Sequence, residues 1–486
     1  MLFNSLQFAI FFPVVTLLYF LLPHKARVLL LLVASCIFYM AFVPKYVLIL
    51  AVLIVIDFAA GIWIENAHGH RRKVFLIVSL CANVGMLGFF KYFNFLNGNV
   101  AALAHFLGWN YSIESLKIIL PIGLSFHTFQ SMSYTIEVYL GNFKAERSLL
   151  HFATYVMFYP QLVAGPIERP QNLLHQFREK HYFNRAQFLE GAQLMLTGLF
   201  MKIIIADRAA ILVNAVYADP RSFSGAQLLL ATWLFAIQIY CDFWGYTEIA
   251  RGAAKIMGFE LMLNFNHPYL ATSIADFWRR WHISLSTWFR DYVYFPLGGS
   301  RCSTAKHCFN LAVVFVISGL WHGANWTYII WGALHAVFII AYVLTEAPRK
   351  RFTSALGEGK RNIMDILGWL LTINLVAGAW IFFRAANLSD ALLIVKKMFT
   401  AFSPSTGFDF HPGLDAFQFS IVLIVIFSLF ILEFAGRHKH KPVWKIINEQ
   451  SRWMRWSAYY AFGVAFIVLL LLNPEHKAQP FIYFQF

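Results

Sequence analysis

Apolar stretches long enough to cross a lipid bilayer follow one another along most of the chain, and they limit the possible fold more than any other feature. A transmembrane helix needs about 17–25 mainly apolar residues. Candidate spans lie near residues 5–22, 28–43, 46–64, 74–91, 149–165, 187–206, 226–248, 308–320, 326–345, 363–383, 418–435 and 456–472. The sequence therefore predicts an all-α, polytopic transmembrane protein.

The composition agrees with that prediction. Hydrophobic residues make up 59% of the 486 residues and charged residues 13%, whereas soluble domains have roughly 45–50% and 25%. No long polar stretch separates a water-soluble domain from the rest, and no internal repeat is evident. We therefore expect one integral membrane domain over residues 1–486, in which the membrane part itself does any chemistry.

Two segments are too polar to face lipid as ordinary spans. Residues 117–140 contain Pro121 and Gly123 followed by several polar side chains, and residues 272–298 are rich in Trp, Arg and His. Irregular backbone at membrane depth is tolerated only where protein or a water-filled cavity surrounds it. We predict a ring of about 10–12 helices with re-entrant segments around a central tunnel.

The distribution of basic residues predicts the orientation. The net charge is +15, and Lys and Arg concentrate in the loops 346–362 and 437–455 but are scarce in 385–417 and 473–486. Cytoplasmic loops carry an excess of Lys and Arg. Both basic loops are therefore predicted to be cytoplasmic and the C-terminus outside, and the basic residues within 24–27 place the N-terminus outside as well. No arginine-rich arm points to nucleic acid.

A histidine stands at a predicted break between two apolar spans. His322 follows Trp321 and precedes Gly323, with Gly319 and Asn325 close by in the sequence. Glycines leave room for another group to approach the backbone, and histidine suits proton transfer near neutral pH. The alternative is a structural histidine that donates a hydrogen bond between helices, and the residues alone favour neither.

Aromatic and charged residues alternate over positions 276–292. The members of interest are Trp278, Arg279, Arg280, Trp281 and His282. On one continuous helix, residues three and four apart are neighbours, so Trp278, Trp281 and His282 would share a face. Buried arginines need an acidic partner or a phosphate. The alternative is an amphipathic helix lying at the membrane surface.

Other polar residues favour structural roles. Asp57 lies in the middle of an apolar span and needs a buried partner that the sequence does not identify. Asp242 and Glu248 end another span, and we expect each of them to pair with a nearby base, either Arg251 or Lys255.

The remaining candidates for chemistry are weak. His335 is expected to be a core histidine rather than a second catalyst. Cys302 and Cys308 flank His307 without a second ligand pair, so no metal site is predicted. Phosphate loops, dinucleotide fingerprints and the serine or zinc hydrolase motifs are missing from the sequence, and we expect no bound cofactor.

Several short motifs are spread along the chain. They are Phe3-Asn4-Ser5, Pro121 to Phe126, Phe158-Tyr159-Pro160-Gln161, Ala164-Gly165-Pro166-Ile167, Phe277 to His282, Trp321-His322-Gly323 and Phe481 to Phe486. Together and in this order they resemble the membrane-bound O-acyltransferase family, in particular its bacterial branch of alginate O-acetylation and teichoic-acid D-alanylation proteins. The resemblance covers nearly the whole chain.

The resemblance implies a function and roles for two histidines. His322 would be the catalytic histidine and His282 a supporting residue, although other branches often carry Asn at the latter position. The donor would be a cytoplasmic thioester, either acetyl-CoA or an acyl carrier protein. The acyl group would cross the bacterial inner membrane towards an exported transferase that acylates a polysaccharide. Which polysaccharide is acylated stays open.

These implications lead to specific expectations for the site. His322 acts as general base on a hydroxyl or carries the acyl group itself, and it lies near mid-membrane where a donor tunnel meets an outward cavity. Arg279 and Arg280 can meet a donor phosphate. The tunnel or donor-binding candidates are Trp278, Arg279, Arg280, Trp281, Gly319, Trp321, Gly323 and Asn325. A polysaccharide or lipid transporter or flippase, and a non-catalytic scaffold of a surface-polymer complex, are the alternatives.

Overall fold

The structure is a computed structural model that describes residues 1–116, 120–163, 165–354, 358–401, 413–439, 443–472 and 480–484. These residues are mainly helical, and the described part of the chain contains no β-strand. The all-α prediction is therefore confirmed.

The chain divides into two compact units, Met1–Leu196 with Tyr246–Met262 and Thr197–Gly245 with Leu263–Phe486. The prediction of one domain over residues 1–486 stays a prediction. The first unit holds α1 Leu6–Leu21, α2 His24–Met40, α3 Val47–Asn66, α4 His70–Leu87, α5 Phe93–Phe106, α6 Leu124–Leu140, α7 Leu149–Met157, α8 Tyr159–Leu162, α9 Pro170–Leu173 and most of α10 Arg185–Leu199. The second holds α11 Asp207–Ala218, the first part of α12 Gly225–Ile256, α13 Ile274–Arg280, α14 Ile283–Phe289, α15 Thr304–His322, α16 Trp326–Leu344, α17 Glu346–Ser354, α18 Glu358–Arg384, α19 Leu388–Thr400, α20 Ala416–Lys439, α21 Val443–Asn448 and α22 Arg452–Leu471.

Eight helices in the described residues are long and apolar enough to cross a membrane. They are Pro44–Asn66, His70–Phe106, Gly225–Ile256, Thr304–His322, Trp326–Leu344, Arg361–Arg384, Ala416–Lys439 and Arg452–Leu471, and Leu6–Leu21 is a shorter apolar helix. Large apolar side chains on several of them are exposed, including Leu6, Phe427 and Leu471. Such extensive apolar surface suits lipid rather than water, so the chain is a multi-pass membrane protein.

Eight of the twelve predicted spans coincide with these helices, and the predicted spans 5–22, 28–43, 149–165 and 187–206 are not among the eight. The span 149–165 is interrupted. Residues 149–165 form two short helices, α7 and α8, instead of one crossing, and nearly all of their side chains are buried. Pro160 lies in the first turn of α8, where a residue without a backbone N–H is tolerated. In the interior of one continuous helix the same proline would remove a hydrogen bond and clash with the preceding turn. Ala164 lies outside the described residues.

Helices α3, α4 and α6 of the first unit enclose the partners that Asp57 requires. Its carboxylate accepts hydrogen bonds from Ser79 Oγ at 2.6 Å, from Asn83 Nδ2 at 2.9 and 3.0 Å, and from Ser131 Oγ. Most side chains of α6 are buried. The prediction of a buried helix is thus confirmed for 124–140, and residues 117–119 lie outside the described residues.

Helices α15 and α16 form a tight hairpin in the second unit. Only residues 323–325 connect them, and Asn325 caps α16 by accepting the Thr327 N–H at 3.0 Å. A Cβ atom at Gly319 would clash with the carbonyl oxygen of Tyr328, and one at Gly332 would clash with that of Phe315. The two helix backbones therefore touch where these glycines face the opposite helix.

Candidate active site

His322 is the last residue of α15, and the chain turns immediately after it. Gly323 is extended, with φ −162° and ψ 150°, and α16 begins at Trp326. The helix break that the sequence predicts at this histidine is therefore present. The side chain of His322 is only 5% exposed, so the break does not open the imidazole to bulk solvent in this conformation.

Aromatic rings surround His322. Its ring centroid lies 4.8 Å from that of Trp321, 5.0 Å from Trp331, 5.3 Å from Phe383 and 5.6 Å from Tyr483. Most of these contacts are edge-on, the arrangement that the charge distribution of aromatic rings favours. The imidazole is thus held within rigid, mainly apolar walls.

The second candidate histidine belongs to the same aromatic cluster. The ring of His282 lies 6.1 Å from Trp321, which contacts His322 as well. On its other side, His282 packs edge-on against Phe243 at 4.6 Å, and Phe243 lies 4.7 Å from Tyr483. The structure therefore brings together His322 and His282, which the sequence places 40 residues apart.

The backbone around His282 differs from the prediction of one continuous helix. Helix α13 ends at Arg280, α14 begins at Ile283, and His282 between them has φ +42°. This left-handed conformation is uncommon for a residue with a side chain. Trp278, Trp281 and His282 consequently do not form one helical face, and that expectation is wrong.

The side chain of Asn264 contacts the ring of His282. Its Oδ1 lies 3.2 Å from His282 Nδ1, and it also accepts the backbone N–H of Ser284 at 3.2 Å and the Ser284 hydroxyl at 2.8 Å. Burial lowers the pKa of His282 to about 3, because a charged imidazolium loses its hydration there. The ring is therefore neutral at physiological pH.

The other donor-binding candidates lie in several environments. Trp281 is buried and packs against Trp380 at 5.2 Å, whereas Arg279 is exposed. Arg280 pairs with Asp276 at 2.9 Å, so it has the acidic partner that a buried arginine needs. Trp278 donates its indole N–H to His335 Nδ1 at 3.3 Å.

Three further candidates have evident packing or capping contacts, and His335 behaves as expected. Gly319 makes room for the Tyr328 backbone, Gly323 makes room for the Tyr328 ring, and Asn325 caps α16. The close approach predicted for the glycines is thus made by the same hairpin. His335 is a fully buried core histidine. A tunnel reaching this cluster stays a prediction.

A buried ion cluster anchors residues 480–484 beside the histidines. Asp242 Oδ2 accepts the Ile482 backbone N–H at 2.6 Å, and its other oxygen pairs with Lys202 Nζ at 2.6 Å. Lys202 also pairs with Asp207 at 2.8 Å and donates to the Pro480 carbonyl at 3.3 Å. This arrangement positions the Tyr483 ring against His322.

The partner of Asp242 corrects a prediction. The sequence suggested Arg251 or Lys255, but the partner is Lys202, in a π-helical turn that precedes α11. The expectation for Glu248 is confirmed, since it pairs with Arg251 at 2.6 Å.

Several residues that line the cluster were not predicted from the sequence. They are Phe243, Asn264, Trp331, Phe383 and Tyr483. Tyr483 lies in the motif Phe481 to Phe486 given above, which is a usable signal, and Asn264 begins a polar and aromatic stretch, Asn264 to Tyr269, that is another. Phe383 is one of 51 phenylalanines, and nothing in its local sequence distinguishes it.

Comparison with known proteins identifies the family of this chain. The model of the membrane-bound O-acyltransferase family matches residues 144–377. Similarity to named relatives extends over much more of the chain, and the protein belongs to this family of membrane acyltransferases. The resemblance seen in the sequence motifs is thereby confirmed.

Relatives whose names give different activities are similar to this chain. The probable alginate O-acetylase AlgI of Pseudomonas aeruginosa is 38% identical over 82% of this chain and 75% of its own length. The peptidoglycan O-acetyltransferase of Helicobacter pylori is 35% identical over 82% of this chain and 80% of its own. The teichoic acid D-alanyltransferase of Bacillus subtilis is 30% identical over 49% of this chain and 62% of its own.

Proposed function

We propose that this protein transfers an acetyl group from a cytoplasmic thioester, across the membrane, for O-acetylation of an exported polysaccharide. The observation that carries the proposal is the position of His322, which ends α15 inside an aromatic cluster that also contains His282. The names of the alginate and peptidoglycan relatives supply the acetyl group and the class of acceptor.

His322 is the proposed general base. It takes the proton of a hydroxyl whose oxygen attacks the thioester carbonyl; a C–O bond forms, the C–S bond breaks, and the imidazolium returns the proton to the leaving thiolate. A thioester is already activated, so positioning and proton transfer are the main tasks. In the covalent alternative, the imidazole nitrogen carries the acetyl group before the hydroxyl receives it.

The proposed donor is acetyl-CoA or an acetylated acyl carrier protein. Arg279 is exposed at the end of α13, and a guanidinium there suits a phosphate of the donor. Arg280 is less suitable, because Asp276 already neutralises it.

We propose further that the protein lies in the bacterial inner membrane and works with an exported transferase that carries the acetyl group to the polymer. The basic loops 346–362 and 437–455 would be cytoplasmic and both termini outside. Cysteines introduced at Arg349 and Arg452 should resist an impermeant thiol reagent added to intact cells and react after permeabilisation. Labelling of either position in intact cells would overturn this orientation.

The depth of His322 is the least usual part of the proposal. Helices α15 and α16 have 19 residues each, or about 28 Å at 1.5 Å per residue, and His322 lies where they meet. A mid-membrane position therefore requires a locally thin bilayer or tilted helices. Filling the predicted tunnel with a Gly319→Trp substitution is not a clean test, since that side chain would separate the hairpin.

The proposed function is tested by the purified protein in lipid nanodiscs with radiolabelled acetyl-CoA and, in a parallel reaction, acetylated acyl carrier protein. Wild type should release acetyl from one of them, whereas His322→Ala should not. His105→Ala is the matched control, because His105 is exposed on α5, and it should behave as wild type. Equal release by wild type and His322→Ala would remove His322 from the mechanism.

A further inference from the structure

The orientation of one carboxamide determines which nitrogen of His282 carries the proton. The two terminal atoms of the Asn264 side chain, Oδ1 and Nδ2, can be told apart by their partners. The backbone N–H of Ser284 faces one of them, assigned as Oδ1, at 3.2 Å. A backbone N–H only donates, so the atom that faces it must be the oxygen. The flip of this Asn is thus fixed by chemistry rather than chosen.

The same oxygen then fixes the tautomer of the imidazole. Asn264 Oδ1 lies 3.2 Å from His282 Nδ1, and an oxygen that only accepts requires a hydrogen on Nδ1. His282 is 1% exposed, which disfavours the doubly protonated imidazolium. In the neutral ring with a hydrogen on Nδ1, Nε2 is the acceptor nitrogen.

The local backbone is arranged to make this contact. Asn266 N–H donates to the Arg280 carbonyl at 2.9 Å, and Ile283 N–H donates to the Asn264 carbonyl at 2.9 Å. These two bonds align the segment after α12 with the turn between α13 and α14. The left-handed conformation of His282, with φ +42°, is an energetic cost of about 1–3 kcal/mol, and it turns the ring towards Asn264.

The side-chain nitrogen of Asn264 supports a specific role for this residue. Its Nδ2 is buried and has no hydrogen-bond partner among the described residues. A buried donor that makes no hydrogen bond is unfavourable and calls for an explanation. Holding the oxygen on His282 and Ser284 provides one, since the amide cannot rotate without losing three contacts.

We propose that Asn264 is the positioning residue that holds His282 in its neutral, Nδ1-protonated form. This inference rests on the proposed function, and it states which nitrogen of the supporting histidine donates a hydrogen bond and which accepts one. In this form Nε2 accepts a hydrogen bond rather than donating one, and the matching donor on a substrate would be a hydroxyl or an amide N–H. His282 does not give one to the oxyanion that forms at the thioester carbonyl, which is the opposite role.

The tautomer is measured directly on the wild-type chain. Solid-state NMR of protein labelled with ¹⁵N-histidine in lipid, compared with His282→Asn, isolates this ring from the other 16 histidines of the 17 in the chain. We expect a protonated Nδ1 and an unprotonated Nε2. A neutral ring protonated on Nε2 would overturn the proposal, and this measurement requires no acyl transfer.

Substitutions of Asn264 test the positioning role. Asn264→Leu is close in size but removes the acceptor, whereas Asn264→Asp keeps it. Per folded molecule, acetyl transfer by Asn264→Leu should fall at least about tenfold, and the NMR signal of His282 should show a change of tautomer. Asn264→Asp should keep a protonated His282 Nδ1 and should transfer acetyl faster than Asn264→Leu. The matched pair Asn266→Leu and Asn266→Asp, at an exposed neighbouring position, should both resemble wild type.

The outcomes separate this inference from the proposed function. If wild type transfers acetyl but Asn264→Leu does so equally well with an unchanged tautomer, the positioning role is wrong and the function stands. If wild type transfers acetyl from neither thioester, the proposed function is wrong, while the NMR result still decides the tautomer. Should the Asn264 variants fail to fold, Ser284→Ala provides a milder change, since it leaves the Asn264–His282 contact intact and should leave the tautomer unchanged.

Discussion

Two buried polar clusters, one in each unit, surround titratable side chains in opposite ways. Asp57 in the first unit is fully buried and accepts hydrogen bonds from Ser79, Asn83 and Ser131. His322 in the second unit is enclosed mainly by the rings of Trp321, Trp331, Phe383 and Tyr483.

This difference shows why a charged residue in an apolar span is not by itself a catalytic candidate. The oxygens of Asp57 are occupied by donors from two neighbouring helices, α4 and α6, so the cluster links three helices. Apolar walls around an imidazole instead exclude water, and they strengthen its interaction with whatever polar group enters. The first arrangement is suited to stability and the second to chemistry.

The largest expected effect comes from removing the imidazole in the second cluster. His322→Ala should reduce acetyl transfer by roughly 10²–10⁴-fold, the usual contribution of a general base, with little change in membrane insertion or melting temperature. Initial rates with the labelled thioester and a thermal melt in detergent measure the two quantities. A large loss of stability with unchanged transfer per folded molecule would reverse the comparison.

A comparably strong effect is expected where the second unit does contain charges. Lys202→Met leaves Asp207 and Asp242 without their buried cation, and breaking a buried pair in this way costs about 3–5 kcal/mol. Because Asp242 also holds the Ile482 N–H, transfer should fall together with the melting temperature. The double variant Lys202→Met, Asp242→Asn should recover part of the stability, and a single variant as stable as wild type would contradict the anchoring role.

The smallest effect concerns the first cluster and sharpens the contrast. Asp57→Leu leaves the donors of Ser79, Asn83 and Ser131 unmet, at about 1–3 kcal/mol for a buried unsatisfied group, whereas Asp57→Asn keeps an oxygen for them and should be milder. Transfer per folded molecule should stay near wild type in both. A selective loss of transfer in stable Asp57→Asn protein would show that this cluster takes part in the reaction.

The sequence predicts those parts of the molecule that depend on local pattern. Apolar length predicted the helices, and the short glycine-containing sequence around His322 predicted the break that ends α15. The turn at His282 was missed, because a left-handed histidine has no signature comparable to that of glycine. The ion pair between Lys202 and Asp242 was missed because the two residues are 40 positions apart in the sequence and only the folded chain brings them together.

The partners of Asp57 illustrate the same limit. An unexplained carboxylate in an apolar helix indicates that polar groups must face it, and that inference was correct. Its donors come from α4 and α6, at positions 79, 83 and 131, and their hydroxyl and amide groups occur in many other places in the chain. Sequence can thus predict that a partner exists without identifying it.

The glycine contacts between α15 and α16 have a consequence for biogenesis. Helices whose backbones touch leave no space for lipid tails between them, and only three residues separate their ends. We expect the two helices to leave the translocation machinery together as a preassembled hairpin. The hairpin that carries His322 would then form while the rest of the chain is still being synthesised, and a bulky residue at Gly332 would appear as a defect of membrane integration and turnover by quality-control proteases.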